Sequence, residues 1–239
     1  MQMRSWGSLV ATTALAAALL TGCGDEGDDF AGQSAAKIAA AAKKSMGDLE
    51  AVTIEGTLTS DGQEIEIRME IGSDGNCTGE FTTQGATAEI LGVDGTQWFR
   101  PDEAFWTLFA GPEEGPAIIA AAGDKWVTLP EGDTSFSQFC DIDEFLGDLT
   151  DQDDAEYTKG ETKEIDGDET IEIVSDRPDE GKSSGYVQTG GDHYLVQIEK
   201  TDGDEPGKVS FSGFDEQPDV EAPADDEQVA LDELESGGY

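Results

Sequence analysis

Residues 51–83 read AVTIEGTLTSDGQEIEIRMEIGSDGNCTGEFTT, and the alternation of their side chains decides the fold. Val52, Ile54 and Leu58 fall on one side of an extended chain with polar residues between them, the period of a strand with one buried face. Asp61-Gly62 marks a two-residue hairpin turn. Folding about it sets Leu58 opposite Ile65, Ile54 opposite Met69 and Val52 opposite Ile71, with Glu55 opposite Arg68 on the other face. Apolar side chains meet apolar ones and opposite charges meet, so the register is self-consistent. Ser73-Asp74-Gly75 continues the meander. A three-residue loop with Gly75 in the left-handed conformation sets Cys77 beside Ile71 and Phe81 beside Ile67, whereas a two-residue loop would turn Phe81 to solvent.

Outward from this stretch, strands are expected over 86–93 and 97–99, joined near Asp94-Gly95, until Pro101 ends the pattern. Residues 102–149 lose the alternation and carry two short apolar helical segments, 102–109 and 116–122, then a strand-like 125–129. A clearer helix follows, with Asp141 as its cap, Glu144 at the capping-box position, and Ile142, Phe145, Leu146 and Leu149 at i, i+3, i+4 and i+7. Cys140 lies just ahead of that cap. If this helix covers the apolar face, Cys140 meets Cys77, and in an oxidising compartment the pair forms a disulfide.

On the N-terminal side, Ser34 caps an Ala-rich helix running to about Met46 and ended by Gly47, with Ile38, Ala42, Ser45 and Leu49 on its less polar side. After the acidic linker 151–156, strand patterns return over 157–165, 169–176, 184–189, 193–201 and 208–214. The register across Asp166-Gly167 stays open. Pairing across Asp202-Gly203 sets Val196 against Val209 and Tyr194 against Phe211, and Pro206 marks an edge or bulge. His193 reads as an ordinary strand residue. From Gln217 the chain is acidic and proline-rich, and Val229, Leu231 and Leu234 dock only weakly, so 217–239 is expected to be a mostly mobile tail. The fold class is α+β, with about ten antiparallel strands in a curved half-barrel wrapped over the N-terminal helix and the central helical insertion. That domain spans 34–216.

The first residues read as a processing signal. Arg4 is the only early charge, and the apolar stretch from Leu9 to Leu20 is about twelve residues, short of the ~20 a spanning helix needs. Leu20-Thr21-Gly22-Cys23 resembles the lipobox of bacterial lipoproteins, which implies that residues 1–22 are removed and that Cys23 carries diacylglycerol on the extracytoplasmic face of the cell membrane. Two acyl chains hold firmly where one binds only marginally. The polar stretch 24–33 then reads as a flexible tether.

The 54 acidic residues against 13 Lys and Arg give a net charge of −41, which excludes nucleic acid as a direct partner. Acidity also opposes contact with an anionic bilayer surface, so the lipid must supply the attachment. Asp166-Gly167-Asp168, Asp202-Gly203-Asp204 and the run 151–154 are the sharpest calcium candidates, and none continues into the EF-hand pattern. No metal and no cofactor are expected. With one histidine, no phosphate loop and no Ser-His-Asp ordering, the chain reads as non-enzymatic.

The lipobox, the N-terminal helix, the two meanders, the short acidic tail and the central insertion carrying Phe105-Trp106 and Lys125-Trp126-Val127 together resemble the LppX/LprG-type lipoproteins of actinobacteria, within the lipoprotein-carrier (LolA-like) superfamily. The resemblance covers residues 23–220. It implies a half-barrel over helices with acylated lipid carried in the gap between them. The candidate ligand-lining residues are then Ile54, Leu58, Ile65, Ile67, Met69 and Phe81 from the sheet, and Phe105, Trp106, Phe109, Ile118 and Ile119 from the insertion. A carrier of lipid or another hydrophobic ligand requires an elongated apolar cavity. The alternative is a cell-surface protein-interaction module, which requires a filled core and an exposed apolar patch.

Overall fold

The computed structural model describes residues 29–60, 62–129, 139–150, 155–177, 181–200 and 206–235, without the side chains of 148–150 and 235. Cys23, the residues ahead of it, Asp61, Asp202-Gly203-Asp204 and the run 151–154 lie outside the described residues.

Strands β1 (Ala51–Ser60), β2 (Gln63–Gly72), β3 (Cys77–Thr83), β4 (Ala86–Val93) and β5 (Thr96–Pro101) form an antiparallel meander. Its first two registers are those that the turns and the apolar pattern dictate: Leu58 faces Ile65, Ile54 faces Met69, Phe81 faces Ile67 and Cys77 faces Ile71. A second meander comprises β7 (Glu156–Ile165), β8 (Asp168–Arg177), β9 (Gly181–Gln188), β10 (Leu195–Lys200) and β11 (Gly207–Ser212), and β11 pairs with β1 to join the two. The turn left open at Asp166-Gly167 takes positive φ at both residues, the requirement of a type I′ hairpin, and sets Ile165 opposite Asp168. The short strands β6 (Trp126–Thr128) and β12 (Gln228–Ala230) extend the β5 edge. The result is one open, curved sheet of twelve strands, mixed because β12 runs parallel to β6.

Helices α1 (Ala35–Gly47), α2 (Glu103–Ala122) and α3 (Ile142–Thr150) join the sheet in two apolar clusters. Ile38, Ala42 and Met46 of α1, Ile142 and Leu146 of α3, and Phe105 of α2 pack with Ile54, Met69, Ile71 and Phe81 in the larger one. Met46, rather than Ser45, continues the buried stripe of α1, and the Ser45 hydroxyl instead donates to the carbonyl of Asp192 at 2.5 Å. Asp141 caps α3 as expected, its Oδ1 accepting from the Glu144 amide at 2.9 Å. Cys77 and Cys140 form the disulfide, with Cα atoms 5.2 Å apart. Gly92 makes room for it, because a Cβ there would lie 3.0 Å from both sulfurs.

Several expectations are corrected. Residues 29–33 do not belong to a free tether: Phe30–Gly32 form a single 3-10 turn, and Phe30, 4% exposed, is buried in the larger cluster. Its ring stacks on His193 at 3.6 Å between centroids, and Lys159 Nζ donates to the Ala31 carbonyl at 2.7 Å. A lone aromatic in a polar run has no period to reveal this. His193 is not a strand residue but sits at φ 60° just before β10. β10 pairs with β11 two residues away from the expected register, Ile198 facing Val209. Pro206, which has no amide to donate, ends the ladder at Gly207, and the even shift keeps every side chain on its face. β11 is an inner strand. The C-terminal stretch is not a free tail over its described length: Val229 of β12 and Leu234 of α4 (Leu231–Glu235) are buried against the second cluster. Three apolar residues within six positions suffice once β6 offers an open edge.

The disulfide closes a span of 63 residues between β3 and α3. Replacing both cysteines by serine is expected to lower stability by about 4 kcal/mol on the chain-entropy relation, read as a shift in the denaturant midpoint. Phe30→Ala should cost about 3 kcal/mol in the same assay, as for a core aromatic rather than a tether residue.

Candidate functional site

The link between the two clusters is the start of α2. Asp102 precedes it, and its carboxylate has two tasks: Oδ1 accepts from the Phe105 amide at 2.7 Å, capping the helix, and Oδ2 accepts from the Thr87 amide at 3.1 Å. The cap is thereby tied to β4, and the first helical turn is fixed over the sheet. Two consecutive side chains then go separate ways. Phe105 enters the larger cluster and meets Phe81 edge-on at 5.6 Å, whereas Trp106 enters the second and lies 5.6 Å from Phe99. Gly111, at φ 78°, breaks α2 in two, but the second segment starts at Pro112, four residues ahead of the expected Pro116, at a position where no amide hydrogen is needed.

One turn beyond Phe105 lies Phe109, stacked on it at 4.2 Å and 61% exposed. Phe139 stacks on the other side of Phe81, at 5.7 Å and nearly parallel. Phe139, Phe81, Phe105 and Phe109 therefore form an aromatic ladder that begins beside the disulfide and ends in solvent. Leu108, 40% exposed, flanks its outer end. Leu58 and Ile65, opposite each other on the β1–β2 hairpin, are half-buried against the same cluster.

The candidate lining residues separate into three groups. Ile54, Ile67 and Met69 are fully packed beneath the helices. Leu58, Ile65, Phe81, Phe105 and Phe109 connect that packing to the surface. Trp106, Ile118 and Ile119 belong to the second cluster, where the C-terminal segment covers them. Trp106 and Ile119 also border an open groove of about 570 Å3, whose other walls include Glu80, Glu89, Arg100, Asp102, Glu103 and Asp124. Five carboxylates line this groove beside Pro101, Trp106 and Ile119, so its walls are part acidic and part apolar. Its one cation is committed elsewhere, since Arg100 is ion-paired with Glu89 and lies 4.4 Å over the Trp126 ring. The hydrogen bond that the guanidinium donates to Glu89 pushes it further above its ordinary range against the opposing effect of burial, and the charges of Glu89, Asp124 and Glu227 add to it. Among the described residues, no group of three His, Cys, Asp or Glu side chains is placed to hold a metal ion.

Sequence reasoning missed Leu108 and Phe139. A signal for Phe139 was present: Cys77 and Phe81 share a face four residues apart, so the neighbour of a cysteine bonded to Cys77 falls near Phe81.

No protein-family model and no curated protein matches this sequence. Solved structures do. LprF from Mycobacterium bovis superposes with a TM-score of 0.57 at 15% identity, over 80% of this chain and 97% of that one. The fold is that of LprF. LppX from Mycobacterium tuberculosis superposes more loosely, with a TM-score of 0.48 at 14% identity over 78% of this chain and 99% of that one. The half-barrel architecture implied by the sequence resemblance is the observed one, and the LprF superposition agrees with it.

The ladder predicts a sharp contrast between neighbouring phenylalanines. Phe105→Ala should cost about 3–5 kcal/mol, and Phe109→Ala less than about 0.5 kcal/mol, in parallel denaturant titrations.

Proposed function

We propose that this chain is a lipoprotein, anchored through acylated Cys23 to the extracytoplasmic face of a cell membrane, that binds the acyl chain of a lipid or another hydrophobic ligand along the aromatic ladder. The observation that carries this reading is the continuity of Phe109, Phe105 and Phe81, which leads without a polar break from an exposed surface into the larger cluster. Aromatic faces present large apolar area with little conformational freedom to lose, which suits them to hold a flexible chain. The Leu20-Thr21-Gly22-Cys23 order supports the anchor, and the resemblance to lipoprotein carriers supports a site between sheet and helices.

The anchor acts over a short reach. Because Phe30 is docked, only residues 24–28 intervene between Cys23 and the domain, a span of at most about 20 Å when extended. The domain is thus held near the bilayer by the lipid on Cys23, while the acidic surface resists adhesion. Ligand and anchor are two separate lipids in this account.

A second reading has its own observation. Ile54 and Met69 are essentially inaccessible in a filled core, and Leu108 with Phe109 makes an exposed apolar pair, the pattern of a protein-interaction module. Native mass spectrometry of the domain, purified without detergent from its own host, separates the two. The proposed function requires a co-purifying hydrophobic ligand whose occupancy falls at least fivefold in Leu108→Ser/Phe109→Ser with an unchanged melting temperature. Ligand-free protein from the host would favour the interaction module. Cys23→Ala should abolish incorporation of radiolabelled palmitate into the full chain, and undiminished labelling would contradict the anchor.

A further inference from the structure

The C-terminal segment meets the rest of the domain through contacts of the kind that recognise a peptide. β12 is three residues long and joins the free edge of β6 in parallel, with Gln228, Val229 and Ala230 opposite Trp126, Val127 and Thr128. Every other pair of neighbouring strands is antiparallel. The Gln228 carboxamide is read at both ends. Its Oε1 accepts from the Trp98 indole at 2.8 Å and from the Thr128 hydroxyl at 3.0 Å, and its Nε2 donates to the Pro223 carbonyl at 3.1 Å. Val229 and Leu234 are 7% and 5% exposed over a seat that includes Phe99, Trp106 and Val127, and Leu231 packs at its margin with Ile118 and Ile119.

The seat is built independently of the segment that fills it. Phe99 and Val127 are held by the β4–β5–β6 ladder, and Trp106 by the Asp102 cap. The segment itself reaches the seat through residues 213–227, a connection that contains Pro218 and Pro223 and no strand or α-helix. It carries exposed Asp225, Asp226, Glu227, Asp232 and Glu233, and Glu227 lies close enough to Arg100 to act on its charge.

We propose that the β6 edge, with Trp98, Thr128 and the apolar seat around Trp106, is a peptide-binding groove that the chain fills in cis with residues 228–234 and that accepts the same segment in trans from a second copy. The recognition chemistry is that of strand addition. Main-chain pairing fixes an extended stretch of three residues, a carboxamide at its first position is bonded by Trp98 and Thr128, and apolar side chains at the second, fourth and seventh positions enter the seat. This groove is separate from the aromatic ladder and does not depend on the proposed ligand.

The test uses the full chain with Val229→Asp and Leu234→Asp, whose own segment can no longer dock, and a synthetic peptide of residues 223–235. Trp98, Trp106 and Trp126 all lie at or beside the groove, so intrinsic fluorescence reports its occupancy. The variant should keep its far-ultraviolet circular dichroism and bind the peptide saturably. The peptide with Gln228→Ala should bind at least tenfold more weakly, and the unaltered chain, already filled, should bind the original peptide at least tenfold more weakly. A folded variant that ignores the peptide overturns the proposal, and so does a variant that loses its sheet signal, because the segment is then part of the core. Hydrogen exchange on the unaltered chain gives an independent reading. Amides of 228–234 should exchange at least a hundredfold faster than those of β1–β4, and equal protection contradicts a detachable segment.

Discussion

Everything in this domain depends on one register. The β1–β2–β3 meander places Ile54, Ile67, Met69, Cys77 and Phe81 on the same face, and a slip of one residue in any of the three strands would turn that strand's contribution to solvent. The consequences follow in order. Cys77 faces inward and so meets Cys140, which fixes the start of α3 over the sheet. Phe81 faces inward and so receives Phe105 and Phe139, which sets the direction of the aromatic ladder. The opposite face carries Glu55, Arg68, Glu89 and Arg100, whose ion pairs are exposed and contribute little to stability. The sheet is one-sided, and its helices are the answer to that.

The parts of the fold that were legible in the sequence are those with a period or a turn signal. Alternation gave β1 to β3 with their pairing, and capping chemistry gave α3 at Asp141. The inward direction of Cys77 then led to its disulfide partner. What stayed hidden was held by single residues. Phe30 anchors the N-terminal stretch through one ring on His193, and Val229 with Leu234 anchors the C-terminal one. Neither stretch has a period to detect, since one apolar ring at Phe30, or three apolar residues spread over 229–234, among acidic residues resembles a linker. Pro206 altered a register that turn residues alone misassigned, because the ladder begins only where an amide is free to donate.

The candidate site shows the same division. Its aromatic residues were identifiable as apolar positions in strand and helix patterns, but exposure separates them in a way no pattern reports: Phe105 and Phe109 lie on one helical face, and only one of them is buried. Trp106, Ile118 and Ile119 were grouped with the sheet residues and instead face a cluster closed by the chain's own end. The groove beside Trp106 is of a size that suits a small ligand, but its carboxylates are wrong for an acyl chain. The apolar route is the ladder.

Photo-crosslinking with a fatty acid that carries a diazirine near its terminal methyl, followed by peptide mapping, tests that route most directly. The account predicts adducts on Phe139, Phe81 and Phe105 and on Leu58 and Ile65 at the flank, because a chain that enters at Phe109 carries its terminal methyl inward. Adducts confined to the second cluster, at Trp106, Ile118 or Val229, would contradict it.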